Sequence, residues 1–176
     1  MQLYSYLSSK CTARQSVISG WGVYAKETIE KGELIAAWGG RICDKEEMQR
    51  ICKRNPKFVI HPISVYENLF LVPLNEKRLE DSDRFNHSCN PNAGVKGQIL
   101  LVARKKIRFQ EEICFDYETT QMGSFDGLPF HCKCKSKNCR KNILGSSWKN
   151  KKFRQQNRGF FSWYLQEKFK LFLKKH

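Results

Sequence analysis

The sequence predicts a mainly β fold with short helices, and three observations point that way. Glycine pairs at 20/22 and 39/40 interrupt apolar runs too short to be helices. The runs QILLVARKKI, 98–107, and EEICFDYE, 111–118, are of aliphatic and β-branched strand type. Helical spacing of apolar residues is confined to 43–54 and 160–175.

In chain order, VISGWGVYAKETIEKGELIAAWGG, 17–40, holds a short strand at 23–25 after a Gly-x-Gly turn. A second strand at 34–38 follows Lys31 and Gly32. In CDKEEMQRICKR, 43–54, Met48 and Ile51 stand among charges, the pattern of a short exposed helix. Asp44 is its N-cap, with Glu47 three residues on, and Asn55-Pro56 stops it. FVIHPISVYENLFLVPL, 58–74, is strand-rich and broken by two prolines, and 98–107 and 111–118 are strands. After Gly127 cysteine and lysine take over. In the tail, Phe161, Leu165, Phe169 and Phe172 recur at spacings of four, four and three, one face of a helix. That helix either docks on the body or lies, basic and amphipathic, on a membrane surface or an acidic partner.

A chain of 176 residues, 40% hydrophobic and 12% aromatic, is sufficient for one domain with a core and excludes a disordered composition. The net charge is +15. From Arg140 onward eleven Lys and Arg face one acid, Glu167, so +10 of the surplus sits in the tail. Such a surplus suggests a negatively charged partner. The opening MQLYSYLSSKC has no secretory signal, and no run approaches the ~18 apolar residues of a membrane helix. A soluble intracellular protein is therefore expected, although a specialised export route leaves no readable mark. In that setting the eight cysteines read as thiols and metal ligands rather than a disulfide framework.

Cys132, Cys134 and Cys139, in a C-x-C-x4-C pattern, supply three of the four ligands that a structural zinc takes. Cys89 and His131 are the rivals for the fourth. Cys11, Cys43, Cys52 and Cys114 read as small apolar residues. In RFNHSCNPN, 84–92, His87 and Ser88 are adjacent and cannot face each other as base and nucleophile, and no G-x-S-x-G elbow is present. Gly20-Trp21-Gly22 lacks the third glycine of a dinucleotide fingerprint, yet lets backbone approach a ligand closely. Tyr117, in FDYE, reads as a packing residue or a hydrogen-bonding group.

GWGVYA, RFNHSCNPN, EEICFDYE and C-x-C-x4-CR, in this order, resemble the SET-domain protein lysine methyltransferases with a post-SET zinc segment. The resemblance covers residues 11–145, and the tail is similar to the longer extensions of small, microbial-type members. It implies a SET domain at 11–120 with a variable insert at about 44–75, a post-SET segment at 121–145 and a basic extension with an amphipathic helix at 146–176. It implies a β-clip-like fold with a pseudoknot. It also implies site roles. Gly20, Trp21, Gly22, Tyr66, Asn86, His87 and Leu144 would meet S-adenosylmethionine. Tyr117 would be the catalytic tyrosine, and Trp38 and Phe115 would line the lysine channel. Cys89, Cys132, Cys134 and Cys139 would hold a structural zinc ion.

The function so implied is methyl transfer from S-adenosylmethionine to the side-chain amine of a protein lysine, with a histone-class substrate slightly preferred. Phe115 in place of a tyrosine leans toward di- or trimethylation. Trp38, where the family often has an aromatic hydroxyl, leaves the methyl count open. Two alternatives compete: a non-catalytic SET-like binding module that keeps the zinc, and a basic nucleic-acid or chromatin-binding protein. The tail would then engage a nucleosome or another acidic partner, which places the chain in the nucleus or on chromatin.

Overall fold

Short strands in four small sheets frame the computed structural model, which describes residues 4–56, 62–75, 79–120 and 130–175. The start of the strand-rich stretch at 58–61 and the segment 121–129 lie outside the described residues. The first sheet orders β1 (Tyr6–Leu7), β4 (Leu34–Ala37), β10 (Leu100–Ala103) and β9 (Ala93–Lys96) as β1-β4-β10-β9, all antiparallel. The second orders β2 (Cys11–Gln15), β3 (Trp21–Ala25), β11 (Glu112–Phe115) and β8 (Asn86–His87) as β2-β3-β11-β8. Here β8 runs parallel to β11, with Asn86 beside Cys114 and His87 beside Phe115. A third sheet joins β5 (Arg41–Asp44), β7 (Leu69–Val72) and β6 (Ile63–Tyr66) in the insert, and β12 (Phe130–His131) pairs with β13 (Asn142–Ile143).

The strands form where aliphatic residues alternate toward one core. Val23, Ile35, Leu101 and Ile113 are fully buried in it. Each such side chain contributes about 1.5–3 kcal/mol relative to exposure. Helix α1 (Lys45–Arg54) presses Met48 and Ile51 onto Cys43 and Val72. Asp44 caps it by accepting from the Glu47 N–H at 2.8 Å. Cys43, placed in the helical stretch by the sequence, ends up paired with Phe70 in the sheet. The strand expected over 98–107 is cut to Leu100–Ala103, and only Ile107 returns to a bridge, with Ile29. The strand expected over 111–118 stops at Phe115. There the Asp116 carboxylate takes the Glu118 N–H at 3.1 Å and a single 3-10 turn, Tyr117–Thr119, replaces the ladder.

The tail folds onto the body. A 3-10 turn, Ser147–Lys149, leads into α2 (Lys151–Gln156) and α3 (Trp163–Lys175). Trp148, Phe153, Phe161 and Leu165 form a second core against Phe169 and Phe172. The Ser162 and Trp163 N–H groups donate to Thr119 and Gly97 carbonyls at 2.9 and 2.7 Å. The 160–175 pattern is therefore that of a docked helix, with Phe161 just ahead of its first turn.

Candidate active site and metal centre

Where β8 lies against β11, the polar run RFNHSCNPN is sorted residue by residue. Asn86 is buried, and its amide nitrogen donates to the Ser19 carbonyl at 3.2 Å, the Trp21 carbonyl at 3.0 Å and Glu112 Oε1 at 2.7 Å. Glu112 also accepts the Ser16 hydroxyl at 2.7 Å and the Tyr24 hydroxyl at 3.0 Å. One carboxylate thus fastens the 16–22 turn to the motif. Gly22 makes room for it, because a Cβ there would collide with the Glu112 carboxylate. Gly20 holds φ +48°, a turn conformation that favours glycine. Trp21 is half exposed at the tip, with the Arg84 guanidinium 5.0 Å over its ring.

His87 is buried, and its ring is committed internally. Nδ1 accepts the Tyr117 N–H at 3.1 Å, so the ring proton resides on Nε2, which faces Cys89 Sγ at 3.3 Å. Burial, then the nearby Arg140 charge, pushes its pKa down to about 3, so the imidazole is neutral. Only its backbone remains to meet a ligand.

Tyr117 is buried among Phe115, His87 and Phe130, with ring centroids 5.0, 5.2 and 5.8 Å away. Its hydroxyl donates to the Phe85 carbonyl at 2.8 Å. Burial raises the phenol pKa well above its usual value, so the hydroxyl keeps its proton. Tyr117, Phe115 and Trp38 line a narrow cavity of about 30 Å³, closed on the insert side by Ile63 and Leu71. Trp38 tilts against Phe115 at 5.2 Å, and its indole N–H is spent on the Ser82 carbonyl at 2.8 Å. Asp83 also lines the cavity. Burial pushes its carboxyl up to about 6, although it accepts the Glu80 N–H at 2.8 Å.

Cys89, Cys132, Cys134 and Cys139 bring their sulfurs within 4.8 Å of one another. Cys89 and Cys132 are 3.8 Å apart, the sulfur–sulfur edge of a tetrahedron with bonds of about 2.3 Å. Backbone N–H groups of Arg140, Cys134 and Lys141 point at Cys89, Cys132 and Cys139 at 3.3–3.4 Å, donors suited to thiolates. This donor set fits zinc. His131, the rival ligand, is exposed on β12 and outside the cluster.

The segment carrying three of these cysteines is tied down by charge. Arg140 grips buried Asp116 with two hydrogen bonds, 2.8 and 2.7 Å, and reaches Glu118 at 3.1 Å. Glu118 also accepts the Ser146 and Ser147 N–H groups and the Ser147 hydroxyl. At the end of the motif, Asn92 donates to the Glu112 carbonyl at 2.8 Å and accepts the Cys114 N–H at 2.9 Å.

The structure brings together Gly20, Trp21, Gly22, Asn86 and His87 around β11, which β3 and β8 flank on its two sides, and Trp38, Phe115 and Tyr117 around the cavity. Leu144 is half exposed just beyond β13. Tyr66 does not join them. It is 57% exposed on the insert hairpin, stacked on Tyr164 at 5.7 Å, and is absent from the cavity wall. Its strand faces α3, which the sequence could not place. The sequence reading also passed over Glu112, Asp116, Glu118 and Arg140. Acids inside an apolar strand, EEICFDYE, were the available signal, since buried carboxylates need partners.

A family model described as SET domain matches residues 20–118. A human histone-lysine N-methyltransferase, H3 lysine-36 specific, is 28% identical over 163 residues, 80% of this chain and 6% of that protein. The chain therefore spans a small part of that relative's length. The solved methyltransferase domain of human SETMAR, a histone-lysine N-methyltransferase, superposes with a TM-score of 0.64 at 22% identity, over 78% of this chain and 58% of that one. A chain of ctPRC2, in an autoinhibited conformation bound to S-adenosylmethionine, superposes with a TM-score of 0.52 at 23% identity, over 61% and 15%.

Proposed function

The chain belongs to the SET-domain family, and on that premise we propose that it transfers a methyl group from S-adenosylmethionine to the side-chain amine of a protein lysine. The observation that carries this reading is the buried Tyr117 hydroxyl on a narrow, largely aromatic and aliphatic cavity, joined through His87 to the Asn86 motif. S-adenosylmethionine, when bound, supplies a methyl group on a sulfonium. Trp21 at its half-exposed turn, the backbone of Gly20, Asn86 and His87, and the half-exposed Leu144 would hold it. Zinc on Cys89, Cys132, Cys134 and Cys139 would clip the post-SET segment, 121–145, to the SET domain, 11–120.

The chain's own residues account for the rest. A lysine ammonium has an unperturbed pKa near ~10.4; the aromatic and aliphatic walls of Trp38, Phe115 and Ile63 disfavour the charged form, and Asp83 on the same cavity favours it when ionised. With its proton engaged by the Phe85 carbonyl, the Tyr117 oxygen is left to face the positive charge passing to the amine. Alignment in a cavity this narrow supplies proximity. Phe115, without a hydroxyl, favours di- or trimethylation, while Trp38, whose N–H is spent on the Ser82 carbonyl, leaves the count open. The relatives are histone methyltransferases, which supports a histone substrate and a chromatin setting. No described helix is long and apolar enough to cross a membrane.

The test is transfer of labelled methyl to histones, nucleosomes and a protein lysate, with mass spectrometry on each labelled band. Tyr117→Phe should lower turnover by about 100-fold or more while cofactor affinity stays near normal. Unchanged turnover would remove Tyr117 from its role. Absence of both transfer and cofactor binding would favour the non-catalytic binding module.

A further inference from the structure

A second cavity, of about 420 Å³, opens between the Cys89–Pro91 turn, the zinc loop and α2, away from Tyr117. Arg104, Arg140 and Lys152 reach its wall beside the amides of Asn90, Asn138 and Asn150. No carboxylate lines it among the described residues. Exposed lysines adjoin it in sequence on three separate segments: Lys105 after Arg104, Lys137 before Asn138, and Lys151 before Lys152. Arg104 is fixed, donating to Asn157 Oδ1 and the Gln156 carbonyl at 2.7 Å each, with its guanidinium 4.7 Å over Phe160. The charge of Arg140 is largely answered by Asp116 and Glu118.

We propose that this groove docks the phosphate backbone of duplex nucleic acid, with Arg104 and Lys152 in the wall and Lys105, Lys137 and Lys151 on the rim. The site stands apart from the methyl-transfer reading. A preset guanidinium, mobile ammonium groups and neutral amide donors are the chemistry of phosphodiester contact. The aromatic ring in the wall, Phe153, is 5% exposed and covered by the Arg140 guanidinium at 4.9 Å. That leaves no face on which unpaired bases stack, which favours duplex over single strand. The C-terminal helix is less suited to the task. Its apolar face is docked, Lys168 pairs with Glu67 at 2.9 Å, and Lys170 pairs with Glu167 at 2.6 Å.

The test is fluorescence anisotropy of the full, zinc-loaded chain with a short labelled DNA duplex across a salt series, with circular dichroism confirming each variant's fold. Wild type should bind with Kd in the ~10⁻⁶–10⁻⁴ M range at physiological salt, weakening linearly on a log–log plot. The triple variant Lys105→Gln, Lys137→Gln, Lys152→Gln should lower that slope by about 3. The matched triple Lys45→Gln, Arg50→Gln, Lys53→Gln, exposed on α1, should leave it unchanged. Equal losses in both triples would overturn the proposal, because binding would then follow overall charge. So would tighter binding to single strands, or displacement by an acidic polypeptide as readily as by duplex.

Discussion

At the scale of single residues, the site depends on acids that the motif does not contain. Glu112 accepts from Asn86, Ser16 and Tyr24 at once. Glu112→Gln keeps the shape but turns a donor toward donors. It should cost about 1–3 kcal/mol in urea denaturation. Calorimetry should show S-adenosylmethionine affinity falling by about tenfold, since 1.4 kcal/mol is a decade. Asp83 gives a pH signature. Its folded pKa, about 6, lies above the ordinary 3.8, so the folded state holds the proton more tightly. Its stabilisation is complete below about 3.8 and is lost as pH rises through 6. Relative to Asp83→Asn, the wild type should therefore lose thermal stability between pH 4 and 7, read as Tm across that range. The motif residues Asn86, His87 and Cys89 were legible because they are chemically unusual neighbours. Glu112 was not, because an acid in a strand is read as solvent-facing until the partner strands are known.

At the scale of elements, the segment that carries the cysteine cluster is held by charge. Arg140 sits between two carboxylates that are each 1% exposed at the side chain. Arg140→Ala leaves both buried without their cation and should cost about 3–5 kcal/mol. The expected readout is a lower denaturation midpoint together with faster zinc loss to a chelator. An unchanged midpoint would mean that the metal alone holds the segment. Strand cores were readable from Ile, Val and Leu runs, and the α1 cap from Asp44 with Glu47. Strand ends were not. At Phe115 the ladder stops because Asp116 and His87 capture the next N–H groups, a competition that no local propensity encodes.

At the scale of the whole molecule, the tail is part of the fold. Phe161 is 2% exposed and stacks edge-on with Phe153 and Phe169 at 5.8 and 5.1 Å. Phe161→Ala should cost about 3–5 kcal/mol by thermal or urea denaturation. A cost near zero would return the helix to the status of a loose appendage. The sequence showed this face at spacings of four, four and three but could not say what it would meet. The parallel pairing of β8 with β11 was equally hidden in the residues alone, because it joins distant segments. Asn92 has a bearing on how such a chain can vary. Its amide offers one acceptor to the Cys114 N–H and one donor to the Glu112 carbonyl, so it behaves as a caliper set on a fixed interval of β11. A slip by one residue would present it with the wrong groups and turn Phe115 to the opposite face. The turns that join β9, β10 and β11 can therefore lengthen or shorten over evolution without dephasing the tyrosine that follows.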